Sequence, residues 1–335
     1  MSSISRRHLL AGTAAVAALS AMPACAQSSA QSGAAEAATP DLSGKSILIT
    51  GCSSGFGYLG ALHYARAGAK VFATMRNTPR PEAEELTRIA EEENLDLAVM
   101  RLDVLLDYEI ADAIATIERE LNGGMVDVLV NNAGIGNGLT VELQDMDATK
   151  LIFDTNVFGY QRMARAVLPG MRARGSGQIF NVSSQLGRVI AIGYGHYCAT
   201  KFAVEAMSEQ MAYELVPHGV EVTIIQPGGY PTDIWRNSNR YTEQLLDRLS
   251  DAEEAAYPAF VQNAMRTGGG RDTDPMDIPH AIAEIIAMPP GTRPLRRAVH
   301  PTRIPQQVIN QVSRETQLAM YGGSQFAPWV ESVLD

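Results

Sequence analysis

The sequence predicts a doubly wound α/β fold: a parallel sheet with helices on both faces, in one domain with a helical lid toward its C-terminal end. Two observations carry that expectation. From residue 45 onward, short and continuously apolar runs alternate with longer amphipathic stretches, and glycine or paired-asparagine clusters stand where the apolar runs end. Strands buried on both faces read as unbroken apolar runs, and a right-handed helical crossover is the short route that brings successive strands parallel. A chain of 335 residues that is 46% hydrophobic and 19% charged carries enough apolar surface for one large core.

In chain order, 46–50 is the first buried strand and 57–67 the first helix, stopped by Gly68. A second strand covers 70–74. Pro81 and the carboxylates behind it suit a helix N-terminus, so 81–93 is helical. Residues 97–102 form the third strand, 108–121 a helix, 126–130 the fourth strand and 146–173 one long helix. The fifth strand is 178–182, followed by a helix over 197–216 and a sixth strand over 220–225. About 229–275 is polar, helical in places and marked by Gly268-Gly269-Gly270, as a lid would be. A helix over 278–288 and a last strand over 294–299 complete a domain at 43–300, leaving 301–335 as a C-terminal extension. No repeat at solenoid spacing interrupts this order.

The first forty residues depart from the pattern. Ser5-Arg6-Arg7-His8-Leu9-Leu10 precedes an apolar, small-residue run over 11–22 and then Pro23-Ala24-Cys25-Ala26. That is the layout of an export signal, too short to span a bilayer, with Ala24 and Ala26 at the small residues that signal peptidase requires. The paired arginines resemble the twin-arginine signal, so 1–26 is expected to engage the twin-arginine translocase and lead to the periplasm. Cys25 leaves a lipid-anchored N-terminus as an alternative, although Met22 stands where such sites prefer leucine, and an unused leader would leave the chain cytoplasmic. Residues 27–42 are rich in Ala, Ser and Gln and read as a flexible linker. Past the leader only Cys52 and Cys198 remain, both expected as free thiols, and no later run reaches the length of a membrane helix. A formal net charge of -10 argues against a nucleic-acid surface. No metal site is expected.

The first strand ends in Thr50-Gly51-Cys52-Ser53-Ser54-Gly55-Phe56-Gly57, directly before a helix. Glycines there let the backbone turn tightly and approach a pyrophosphate, which sits on the free amides and positive dipole end of the helix, as in Rossmann-type folds. Gly51, Ser53, Ser54, Gly55, Phe56 and Gly57 are therefore candidate cofactor contacts. Gly51-Cys52-Ser53-Ser54-Gly55 also matches the nucleophile elbow of serine hydrolases, with Ser53 as nucleophile. That elbow follows several strands, whereas this loop follows the first. Between Tyr58 and Pro81 there is no Asp or Glu to bond a ribose hydroxyl, and Arg76 stands just past the second strand, suited to an additional phosphate. NADP(H) is the expected cofactor, with NAD as the alternative. Asp103 and Val104 follow the third strand, and Asn132, Ala133 and Gly134 follow the fourth, all at the same sheet edge.

Tyr197-Cys198-Ala199-Thr200-Lys201 opens a helix, so Tyr197 and Lys201 lie one turn apart on one face. A tyrosine near pKa 10 keeps its proton at neutral pH, and lowering that value by ~3 units takes roughly 4 kcal/mol of preferential stabilisation of the phenolate. A lysine ammonium within reach, aided by an oxidised nicotinamide, is a source of it.

With these residues in place, about 45–288 resembles the short-chain dehydrogenase/reductase family. T-G-x-x-x-G-x-G at 50–57, N-N-A-G at 131–134, Y-x-x-x-K at 197–201 and P-G at 227–228 occur in the family's order. The resemblance implies that Tyr197 and Lys201 are the proton-transfer pair and also bind the cofactor, and that Ser184, thirteen positions before Tyr197, bonds the substrate oxygen in preference to its neighbour Ser183. It implies that Asn156 holds a water in a proton relay through Lys201, and that Pro227, Gly228 and Thr232 lie against the nicotinamide. Hydride transfer to a carbonyl carbon, with Tyr197 giving its proton to the oxygen, is the implied reaction. A homodimer or homotetramer is usual in the family. The segment 185–194 and the surroundings of Tyr230 and Trp235 are mostly apolar, so a small hydrophobic alcohol or carbonyl compound is expected, as in members similar to hydroxysteroid and retinol dehydrogenases. A non-catalytic NADP(H)-binding redox sensor is the rival reading from another class.

Overall fold

The structure is a computed structural model that describes residues 40–265 and 272–334. The expected leader, Cys25, most of the linker and Gly268-Gly269-Gly270 lie outside the described residues.

Strands β1 (Ser46–Thr50), β2 (Lys70–Met75) and β3 (Leu97–Arg101) alternate with helices α1 (Gly55–Arg66), α2 (Pro81–Glu92) and α3 (Asp107–Glu120). Strand β4 (Val128–Asn131) leads to α4 (Met146–Phe153) and α5 (Gly159–Arg174), and β5 (Gly177–Val182) to α6 (His196–Leu215). After β6 (Val220–Pro227) come α7 (Ile234–Leu246), α8 (Asp251–Ala256) and α9 (Pro258–Gln262), which occupy the stretch expected to form a lid. Helix α10 (Asp277–Ala287), β7 (Arg296–Val299), α11 (Gln306–Tyr321) and α12 (Ala327–Leu334) complete the chain. The seven strands form one parallel sheet in the order β3-β2-β1-β4-β5-β6-β7. Strand order reverses between β1 and β4, so a crevice opens beyond their carboxyl ends, where ligands bind in folds of this kind.

Successive side chains of a strand point to opposite faces, so each strand feeds two cores. Ile47, Ile49, Val71 and Val130 pack on one face against Ala61 and Tyr64 of α1, Leu86 of α2, and Ile278, Ile282 and Ile286 of α10. Leu48, Phe72, Leu129 and Ile179 pack on the other against α3, α5 and α6. Among the described residues no helix is long and apolar enough to cross a membrane.

Three departures from the expected elements shape the site and the domain around it. The long helix expected over 146–173 is broken by a π-helical turn over Asp154–Phe158, in which Thr155, Asn156 and Val157 are buried in succession. Such a turn inserts one residue into the helix and re-aims the side chains around it. Second, the segment expected as an extension folds back: Val330 and Leu334 of α12 are buried in the same core as Ala212 and Leu215 of α6. Third, Leu42, placed at the end of the linker, is buried and donates its amide to Ala67 O at 2.8 Å, so the domain begins before it.

Candidate active site

The crevice between β1 and β4 is built by two loops locked to each other. Thr50 Oγ1 accepts the amides of Asn132 and Ala133, each at 3.0 Å, and Asn132 Nδ2 donates back to Thr50 O at 2.9 Å and Gly51 O at 3.2 Å. No side chain fits between them. A Cβ on Gly51 would stand 2.8 Å from Ala133 Cα, and one on Gly57 would stand 2.5 Å from both Asn132 Nδ2 and Gly51 O. Helix α1 begins at Gly55, earlier than expected, with no side-chain cap from Ser54 and no carboxylate in its first turn. Its leading amides are therefore open to an anion, and the loop is cut back to backbone where a pyrophosphate would lie. The chain fits a dinucleotide on these grounds.

Around this cradle a cavity of about 320 Å³ gathers the other expected cofactor residues. Ser53, Ser54, Phe56, Arg76, Asp103, Val104, Asn132, Ala133, Gly134, Pro227, Gly228 and Thr232 all line it. Arg76 is half-buried at the end of β2, with its Nη2 3.3 Å from the Tyr241 hydroxyl of α7. Asp103 Oδ1 accepts the amide of Leu105 at 3.0 Å, which fixes the turn after β3. Asn131, by contrast, faces into the sheet and donates to Asn181 Oδ1 at 2.9 Å, leaving Asn132 as the residue of the pair at the crevice.

At the other end of the cavity stand Ser184, Tyr197 and Lys201. Ser184 caps a short 3₁₀ turn over Gln185–Gly187, its Oγ accepting the Leu186 amide at 3.1 Å. Tyr197 lies in the first turn of α6, and enclosure of its hydroxyl pushes its pKa up to about 12, with a hydrogen bond from Ser184 acting in the opposite sense. Lys201 is buried; its Nζ donates to Val182 O at 2.8 Å and lies 5.7 Å from the ring centroids of both Tyr160 and Tyr197. Burial lowers its pKa to about 8 against the pull of Glu205. Asn156 Oδ1 accepts the Ile135 amide at 2.8 Å, while its Nδ2 donates to Ile135 O at 2.9 Å and Thr200 Oγ1 at 3.1 Å. The glycine cradle, the serine, the tyrosine and the lysine thus share one cavity in one crevice.

The same chain, compared with known proteins, matches the short chain dehydrogenase family over residues 45–243. It is 32% identical over 287 residues to human retinol dehydrogenase 8, covering 82% of this chain and 87% of that protein. It is 38% identical over 244 residues to 3-ketodihydrosphingosine reductase of Bacteroides thetaiotaomicron, covering 72% and 83% respectively. The crystal structure of a short-chain dehydrogenase from Streptomyces avermitilis superposes with a TM-score of 0.64 at 29% identity, over 83% of this chain and 96% of that one. The chain belongs to the short chain dehydrogenase family.

Gln185, Leu186, Ala191, Tyr194, Ile234 and Trp235 line the same cavity of this dehydrogenase. Tyr194 bridges two aromatic neighbours, 6.3 Å from Tyr197 and 6.4 Å from Trp235 between ring centroids. Tyr230 also lines the cavity, although it is only 2% exposed. Its ring meets Phe56 and His300 edge-on, and its hydroxyl donates to Asp277 Oδ2 at 3.0 Å, so it serves the packing of the loop that carries Thr232. Ser183 is also buried, but its Oγ has no hydrogen-bond partner, whereas Ser184 reaches Tyr197. Ser53 lines the cavity, yet among the described residues no histidine does so, and the hydrolase alternative lacks a histidine base in that cavity. Cys52 and Cys198 are both free and buried, and burial pushes the Cys52 thiol up to about 12.

The loop after Gly134 carries no motif in sequence, yet it joins the site together. Gly138 donates its amide to Thr242 Oγ1 of α7 at 2.8 Å, and Gln144 Nε2 donates to Gly138 O at 2.7 Å. Gln144 Oε1 in turn accepts the His196 amide at the start of α6, at 3.1 Å. These bonds tie α7, the loop and the tyrosine-bearing helix to one another. The partners are 52 and 104 residues apart in sequence, so no local signal reveals them.

Proposed function

We propose that the chain is an NADP(H)-dependent oxidoreductase that interconverts a hydrophobic alcohol and its ketone or aldehyde. The observation that carries this reading is the convergence of Ser184, Tyr197 and Lys201 in the same cavity as the glycine cradle and Arg76. A bound nicotinamide dinucleotide supplies the hydride for reduction and accepts it in oxidation. Ser184 donates a hydrogen bond to the substrate oxygen, and Tyr197 passes its proton to that oxygen in reduction or takes it back as phenolate in oxidation. Burial alone holds the Tyr197 proton too tightly for a base at neutral pH, and the buried Lys201 ammonium favours the phenolate. Asn156 has committed its amide to Ile135 and Thr200, so it acts by fixing the loop beside Lys201, and a relay water would be held through backbone rather than through that amide.

Arg76 supports NADP over NAD, since no acidic residue accompanies it between 58 and 81. The apolar and aromatic lining supports a hydrophobic substrate, and the names of the two relatives, for retinol and for 3-ketodihydrosphingosine, point the same way. The test is a screen of carbonyl compounds of increasing hydrocarbon size, read by loss of NADPH fluorescence, repeated with NADH and with Arg76→Asp. NADPH-dependent turnover is expected, with the variant losing about 10- to 100-fold of its NADPH preference, the worth of a charged hydrogen bond. Equal NADPH preference in Arg76→Asp would contradict the cofactor assignment.

A further inference from the structure

One turn beyond Lys201, the same face of α6 enters a buried ionic cluster that the proposed reaction does not use. Glu205 is 2% exposed; its Oε1 accepts from Gln226 Nε2 at 2.9 Å and its Oε2 from Arg296 Nε of β7 at 2.9 Å. Arg296 also pairs with Glu209, which accepts the Tyr213 hydroxyl. Arg188, from the segment after Ser184, faces the same two carboxylates. From the other side, Asn310 of α11 donates to Gln226 Oε1 at 2.7 Å, and Gln306 donates to Gln226 O at 3.3 Å. Taking such charges out of water costs several kcal/mol per ion, and apolar residues of similar volume fill a core at least as well. Packing alone therefore gives no reason for the cluster to be there.

Two links run from it to the active site. Glu205 follows Lys201 by four residues, so the two side chains neighbour each other on the helix surface. The 3₁₀ turn capped by Ser184 rests on α6 at that point through Gly187. A Cβ there would stand 2.7 Å from Ser183 Oγ, 2.9 Å from Glu205 Cγ and 3.0 Å from Lys201 O.

We propose that Glu205 is a positioning residue of the active site: its carboxylate, anchored by Arg296 and Gln226, holds Lys201 in the ammonium form and seats the turn that presents Ser184. Around Lys201 stand Tyr197, Thr200 and Glu205 of α6, Tyr160 of α5, Asn156 of the π turn and the Val182 carbonyl of β5. Of these Glu205 alone is a carboxylate. Facing Glu205 are Arg296, Arg188, Glu209 and Gln226; with Glu205 itself counted, two cations meet two carboxylates, so replacing Glu205 by a neutral residue leaves a net positive cluster beside Lys201. Burial works against the Lys201 ammonium and Glu205 works for it. Glu205 has this role only if Tyr197 and Lys201 are the proton-transfer pair.

The chain has four lysines, Lys45, Lys70, Lys150 and Lys201. Lysine labelled with carbon-13 at Cε therefore gives four NMR signals, and Lys201→Arg identifies one of them. In the cofactor-free protein the Lys201 signal is expected to titrate near pH 8. Glu205→Gln should lower that midpoint by about one unit, the effect of losing a nearby opposite charge. Glu209→Gln, which takes a carboxylate from the same arginine one turn farther on, should move it less than half as much. An unmoved midpoint in Glu205→Gln, or an equal shift in both variants, would overturn the assignment. Should Glu205→Gln not fold, Glu205→Asp keeps the charge and draws it back by one methylene; a smaller fall is then expected, and none would count against the role. The titration needs neither substrate nor cofactor, so its failure is distinct from absence of turnover.

Discussion

At Tyr197 two influences oppose each other, and the candidate chemistry lives in their balance. Enclosure raises the phenol, while the hydrogen bond from Ser184 lowers the cost of the phenolate. Ser184 and Ser183 are adjacent and both buried, but only Ser184 reaches Tyr197, and the Ser183 hydroxyl is unpartnered. Ser184→Ala is therefore expected to lower turnover by about 10²- to 10³-fold, the worth of one donor to a developing oxyanion, with Ser183→Ala close to wild type. Steady-state rates of the two variants check this, and the reverse ranking would reassign the serine. Most of these side chains are legible in the sequence because their spacing is local: Tyr197 and Lys201 share a helix face, and the glycines stand between a strand and a helix. Tyr230 is not, because its packing against Phe56, His300 and Asp277 depends on segments far apart in the chain.

Strands and their parallel arrangement are legible at the scale of elements, because each is an unbroken apolar run joined to the next by a helical crossover. The π turn is not. Within it Asn156 bonds the Ile135 backbone, a contact across 21 residues that no periodicity encodes. A second contact between elements sets a pH dependence. His63 of α1 lies 4.7 Å from His280 of α10 between ring centroids, with its Nε2 unpartnered. Burial, aided by the neighbouring His280, lowers the His63 pKa to about 4. The folded state thus binds fewer protons than the unfolded chain between about pH 6.5 and 4, and His63 withdraws stability as pH falls through that window. Urea unfolding at pH 7 and pH 5 should show this loss, and His63→Phe should reduce it; an equal pH dependence in the variant would refute the assignment.

For the molecule as a whole, the terminal segment decides where the domain ends. Val330 and Leu334 complete the core beside Leu215, Val220 and Leu295, and Gln306 and Asn310 close the cluster around Gln226. Residues 301–335 carry no motif, so in sequence they stand outside a domain whose core Val330 and Leu334 help to fill. Removing them would forfeit roughly 1.5–3 kcal/mol for each of the two buried side chains, a large share of the stability of an ordinary domain. A chain ending at residue 300 is expected to unfold at markedly lower temperature in a thermal melt, and an unchanged melt would show that the segment is dispensable. In the proposed reaction Tyr197 passes a proton to the substrate oxygen while a hydride moves at the carbon that bears it. Its most direct test is Tyr197→Phe, assayed for NADPH oxidation with a carbonyl compound that the wild type reduces and, separately, for NADPH binding by fluorescence. Loss of turnover by about 10²-fold or more with binding retained is the expected result; undiminished turnover would contradict it.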